Sequence, residues 1–221
     1  MIRGNIIAPG EYYHICNRGV NKQVIFHDIP DYYRFLFLIL YFQSPINFPQ
    51  LGRTIKDFIQ HPILDIVQEV INKRTVELVG FCIMPNHFHL IIKEVEEGGI
   101  SSYVQRISNA YGKYHNIRYE KSGHVLQGAY RIVHIEDDRQ FLHLSAYVHR
   151  NPREISKWFR KEDHYPWSSY QDFIRNNRWG NLLVPDIVLG QFDNKEKYQR
   201  FVETSPAKVL EKELEYLRNF Q

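Results

Sequence analysis

The sequence predicts an α+β fold: an antiparallel sheet covered on one face by helices, followed by a helical C-terminal extension. Three observations carry this expectation. Four short apolar runs have the character of strands. Two of them are separated only by Pro85-Asn86, as in a hairpin. Two segments with helical spacing fall between strands rather than after them, so they cross the sheet.

Alternation in Tyr13-His14-Ile15-Cys16-Asn17-Arg18 marks the first strand, ended by Gly19 and followed by the polar turn Asn21-Lys22-Gln23. Asp31 is placed to cap a helix over 32–42, which Ser44-Pro45 and Phe48-Pro49 terminate. Its apolar run from Phe35 to Phe42 reads as buried, being far shorter than the roughly 18 residues of a membrane span. Residues 46–74 read as an insertion with one amphipathic helix over 62–71, Pro62 standing at its first position.

The hairpin strands occupy 75–84 and 88–95. Gly98-Gly99 opens a second crossing helix, in which Ile100, Val104, Ile107, Ala110 and Tyr111 recur at helical spacing up to about Tyr119. A fourth strand over 129–135 leads to Asp137-Asp138, a helix N-terminus, and then Phe141, Leu144, Ser145 and Val148 share one helical face. The order strand, helix, strand, strand, helix, strand, helix is the ferredoxin-like arrangement. Residues 1–152 form this unit; 153–221 form the helical extension, anchored by Trp158, Trp167, Tyr170, Phe173 and Trp179.

The 221 residues are 43% hydrophobic, enough for one sizeable core. The first five residues lack the pattern of a secretory signal, so a cytoplasmic protein is expected. Cys16 and Cys82 sit inside apolar runs and read as buried free thiols rather than a disulfide or zinc site. Lys and Arg exceed Asp and Glu by 28 to 25, a mildly basic balance that does not by itself identify a partner. The 14% aromatic content, with fifteen Tyr, many of them close to Arg, Lys, Asn or His, suits stacked bases and phosphates.

His87 and His89 lie two apart at a strand start, so both point to one face while Phe88 points to the other. Such a pair suits a divalent metal, and equally describes two half-buried strand histidines. Tyr147 and Asn151 are four apart near the end of the last core helix and share a face, so a metal held partly by the Asn151 side-chain oxygen would sit beside the Tyr147 phenol. With an ordinary pKa near 10, a phenol needs a nearby cation to act as a nucleophile. Pro152 disfavours α geometry at Asn151, which places that residue at a helix end or kink.

Tyr13-His14-Ile15 with Asn17-Arg18-Gly19, Met84-Pro85-Asn86-His87-Phe88-His89-Leu90, Gln127-Gly128 and Tyr147-Val148-His149-Arg150-Asn151-Pro152 occur in that order. This set resembles the single-tyrosine transposases of the HUH endonuclease superfamily, and more narrowly the subgroup associated with repetitive extragenic palindromes, from about residue 10 to 175. The resemblance implies that His87 and His89 are the HUH histidines, Tyr147 the nucleophile, and Asn151 a third metal ligand or orienting group. It implies magnesium or manganese as the metal, and single-stranded DNA near a hairpin as substrate, nicked and rejoined through a 5′-phosphotyrosine intermediate. Relatives of this kind act as monomers or homodimers. One departure is Ala129, where relatives often carry a basic residue; Arg131 follows two positions later.

For DNA, Asn17, Arg18, Asn21 and Lys22 combine amide and cationic groups after the first strand. Arg106, Lys113, Arg118 and Lys121 with Tyr103, Tyr111, Tyr114 and Tyr119 form either a phosphate-and-stacking surface or a solvated helix face. Arg131 is a further phosphate candidate. His143 and His149 read as structural. Two rival functions stay open: a catalytically quiet DNA-binding protein, and a metal phosphohydrolase using activated water.

Overall fold

Side chains on β1 (Tyr12–Arg18) alternate between two interiors, and that alternation organises the molecule. The computed structural model describes residues 7–61 and 63–206. After β1 and a polar turn comes α1 (Ile29–Tyr41). Its cap is Asp28, whose side chain accepts from Asp31 N, while Asp31 Oδ2 accepts from His27 N at 2.9 Å. Asp31 therefore lies in the first turn instead of capping the helix, because Pro30 at the favoured N-terminal position starts the helix earlier.

The segment 46–74 holds two helices, α2 (Leu51–Gln60) and α3 (Val67–Asn72). The first was not expected, and the second begins later than the apolar spacing indicated; Pro62 lies outside the described residues. Ile55, Phe58 and Val70 from this segment are buried in the main core.

β2 (Val76–Met84) and β3 (His87–Glu94) form the expected hairpin, followed by α4 (Gly99–Arg118), β4 (Arg131–His134) and α5 (Asp138–Arg150). Glu94 caps α4 from the end of β3, its two oxygens accepting from Gly99 N at 3.0 Å and Ile100 N at 2.6 Å. Gly99 is required there, since a Cβ would stand 2.3 Å from the Thr75 carbonyl oxygen. Asp137 caps α5 by accepting from Gln140 N, as expected.

All strand pairs are antiparallel, in the order β2-β3-β1-β4, which is the ferredoxin-like topology. α1 and α4 cover one face, packing Phe35, Leu38, Ile39, Tyr103 and Ile107 against Tyr13, Ile15, Phe88, Leu90 and Ile92. The opposite face is covered too, by α5 and the chain beyond it, including α6 (Tyr170–Ile174), α7 (Asp186–Leu189) and α8 (Lys195–Thr204).

This C-terminal segment also satisfies the outer edge of β2. Ile83 N donates to Trp167 O, Ser169 N to Phe81 O, and Val184 N to Leu78 O, at 2.8 to 3.0 Å. A nine-residue edge strand is thereby hidden from pairing with another chain. Trp179 is buried in the α1/α4 core and Trp167 stacks on Tyr32, so the segment contributes to both interiors. The helical extension expected through residue 221 runs beyond the described residues. Among the described residues, no helix is long and apolar enough to cross a membrane.

Candidate catalytic site

Strand register assembles the site. In the antiparallel ladder His89 stands opposite Cys16 of β1 on one side and Cys82 of β2 on the other, and Arg131 of β4 stands opposite Cys16. His87 and Arg18 form the next row toward the hairpin turn. Period-two alternation sends Phe88 into the α1/α4 core and leaves His87 and His89 on the face that α5 crosses. The Tyr147 ring meets that of His89 edge-on, centroids 5.4 Å apart and planes at 86°. Tyr147 itself is half-buried.

Asn151 is the C-cap of α5 and keeps right-handed helical angles despite the following proline, φ −50° and ψ −39°. The expected Pro152 effect is absorbed because the chain tightens into a 3-10 turn starting at Asn151. Its Nδ2 donates to the Tyr147 carbonyl at 2.9 Å, which turns Oδ1 toward the histidines. That oxygen lies 3.4 Å from His87 Nε2.

The proton on His87 can be assigned from its neighbours. Asn86 Nδ2 donates to the Lys22 carbonyl at 3.1 Å, so Asn86 Oδ1 is an acceptor. It receives His87 Nδ1–H at 2.7 Å. His87 Nε2 is then a lone pair facing the Asn151 oxygen, two acceptors with no hydrogen between them. Two acceptors so placed suit a cation. Burial lowers the pKa of His87, as does the nearby Arg18 charge, so the ring stays neutral at pH 7. His89 is pushed well down by burial and by the neighbouring His87 and His14; the Asn151 amide interacts with it as well. Two neutral imidazoles and an amide oxygen form a donor set that fits a small divalent ion.

Sequence reasoning placed neither His14 nor Cys16 in the site, yet both face it. Donor atoms of His14, Cys16 and His89 lie within 4.8 Å of one another. His14 Nε2 is 2.9 Å from His89 Nδ1, so those two nitrogens already pair with each other. Burial brings His14 down to about 4 and lifts the Cys16 thiol to about 11, the latter opposed by the charges of Arg131 and Arg18. The signal available was the alternation of β1, which puts His14 and Cys16 on one face; which strand they would meet was not legible.

The expected DNA residues divide. Arg18 Nε donates to Gln127 Oε1 at 2.8 Å, beside the site, and Arg131 is exposed on the same sheet face. Lys22 is exposed in the turn where Asn21 and Lys22 adopt positive φ. Asn17 and Lys113 line a separate groove of about 760 Å³ between α4 and the loop carrying Gly123 to Tyr130, which also contains Ala129. Arg106 and Arg118 are spent on the fold. The Arg106 guanidinium donates to the carbonyls of Phe42, Ser44 and Ile46 and caps the end of α1, and Arg118 pairs with Asp28 and the buried Asp31. The tyrosines beside them are engaged likewise: Tyr103 donates to Ile39 O, Tyr111 to Ile25 O, and Tyr114 and Tyr119 to Asp31. Neither reading open for α4, a phosphate-and-stacking surface or a solvated helix face, describes these six side chains, which are bonded into the fold. His149 is a buried structural residue between Tyr198 and Ser169. His143 packs beside Phe201.

Residues 52–151 match the family model described as transposase, IS200 like. Over that stretch the chain is similar to the IS200-like transposases. The matched stretch runs from α2 to Asn151 and so contains His87, His89, Tyr147 and Asn151, while β1 lies outside it. Among solved structures, a REP-associated tyrosine transposase bound to a REP hairpin is similar at 13% identity, with a TM-score of 0.50, covering 79% of this chain and 85% of that one. That likeness shows the fold. A candidate transposase from Deinococcus radiodurans R1 is 14% identical, with a TM-score of 0.29, over 73% of this chain and 98% of the other. No curated protein matches the chain.

Proposed function

We propose that this chain is an IS200-like transposase that nicks and rejoins single-stranded DNA beside hairpins, with Tyr147 as nucleophile and a divalent metal, magnesium or manganese, held by His87, His89 and Asn151. The observation that carries the reading is the convergence of the Tyr147 ring with His89 and of the Asn151 oxygen with the unprotonated nitrogen of His87. The bound metal would polarise a scissile phosphate.

The Tyr147 phenol oxygen attacks phosphorus and releases its proton to solvent. The bond to the 3′ oxygen of the preceding nucleotide breaks, and that oxygen leaves as a 3′ hydroxyl. The DNA 5′ phosphate remains esterified to Tyr147. A second 3′ hydroxyl reverses these bond changes and rejoins the strand, with no external energy source. His87 and His89 stay neutral ligands throughout, and Asn151, by gripping the Tyr147 carbonyl, holds nucleophile and ligand set in one register.

Arg18 and Arg131 flank this face and suit the phosphates of the bound strand, with Lys22 contacting DNA from the turn. Asn17 and Lys113 extend contacts into the groove along α4. Arg106 and Arg118 are left out of this surface because their donors serve the fold.

The test is incubation of the purified chain with labelled oligonucleotides carrying a hairpin, with manganese, with magnesium or with chelator. Discrete, metal-dependent nicking of single-stranded substrate beside the hairpin is expected. Binding without cleavage under every metal condition would instead support a quiet DNA-binding protein.

A further inference from the structure

His14 enters the site from β1, and its contact with His89 has a definite geometry. The ring nitrogens are 2.9 Å apart, the centroids 5.1 Å apart and the planes within 9° of each other. With the nitrogens so close, that centroid separation is about the N···N distance plus the two ring radii. The rings therefore meet edge to edge in nearly one plane, and the contact is an in-plane N–H···N hydrogen bond. Both residues are only 6% exposed, so water does not compete for it.

One of the two nitrogens must carry the proton. If His14 donated, neutral His89 would hold its own proton on Nε2, and that nitrogen could not ligate a metal. If His89 donates from Nδ1, its Nε2 keeps a free lone pair. The neighbouring ligand sets the pattern: His87 is fixed as the Nδ1–H form by Asn86, which leaves its Nε2 open toward Asn151.

We propose that His14 is a positioning residue which accepts the His89 Nδ1 proton and so holds His89 in the metal-binding tautomer and orientation. This rests on the metal reading above. His14 does for His89 what Asn86 does for His87, from a different strand. The two ligands thus receive the same tautomer from independent partners, and β1 becomes part of the site even though neither the His-x-His spacing nor the matched segment includes it. Such partners orient ligating imidazoles generally, and their loss weakens metal binding.

The experiment is calorimetric titration of the full chain with manganese, paired with thermal melting in chelator. His14→Phe keeps the ring volume and removes the acceptor; it is expected to weaken manganese binding roughly 10–100-fold. His14→Gln supplies an amide oxygen as acceptor and is expected to restore affinity to near that of the wild type. A merely structural His14 would instead make affinity follow the melting temperature in both variants, and that result overturns the proposal. Unchanged affinity in His14→Phe overturns it too. Absence of manganese binding by the wild type would overturn the metal reading itself, and the assignment with it. A measurement free of variant folding is nitrogen-15 NMR of histidines in the metal-free wild type. His89 protonated on Nδ1 is expected, and protonation on Nε2 contradicts the proposal.

Discussion

Asn151 Oδ1 faces His87 Nε2 across 3.4 Å, an acceptor turned toward a ring nitrogen whose proton lies on the far side of the ring. The contact joins the last core helix to the hairpin strand, and the same amide holds the Tyr147 carbonyl. We expect Asn151→Ala to weaken manganese binding at least roughly tenfold, as loss of a ligand or its partner does. Asn151→Asp keeps an oxygen in place and is expected to retain binding. Calorimetry of both variants checks this, and equal loss in both would show that the amide serves only the helix end.

Arg131 and Lys113 should reveal themselves in the salt dependence of DNA binding. Each phosphate contact contributes about 0.7 to the slope of log affinity against log salt for single strands. Arg131→Ala and Lys113→Ala are each expected to reduce the slope by about that amount. Arg106→Ala is expected to leave it unchanged, since its guanidinium is committed to the carbonyls after α1. Fluorescence anisotropy across a salt series makes the comparison.

Arg118→Ala is expected to act on stability. Asp31 is fully buried and retains Tyr114, Tyr119 and the His27 amide when Arg118 is removed, while losing the ion pair with Arg118. A loss of about 1–3 kcal/mol follows, read by urea denaturation.

The fold was largely legible because period-two alternation and capping residues are local properties. Phe88 pointing away from His87 and His89, and Asp137 starting α5, follow from spacing alone. Partnerships across the chain were not. Arg118 looked like a free cation on a helix face because nothing near it in sequence reveals Asp31, 87 positions earlier. His14 likewise acquires meaning only when β1 settles beside β3. Asp28 took the capping role expected of Asp31, since aspartates three apart offer the same local signal.

His149 should make stability fall in acid. Burial lowers its pKa from 6.5 to about 3 in the folded chain. Between those values the unfolded chain binds a proton that the folded chain refuses, so stability is present above pH 6.5 and declines as pH falls toward 3. The contribution is about 1.4 kcal/mol per pH unit within that window. Urea denaturation at pH 7.5, 6, 5 and 4.5 should show a shallower decline for His149→Gln than for the wild type. Parallel curves would contradict the assignment.

Tyr147 is expected to form the covalent bond to DNA. The most direct measurement is a denaturing gel of the wild type and Tyr147→Phe after incubation with labelled single-stranded hairpin DNA and manganese. We expect a protein–DNA adduct with the wild type and none with Tyr147→Phe, together with loss of nicking. Nicking that survives in Tyr147→Phe would contradict the claim and point to activated water as the nucleophile.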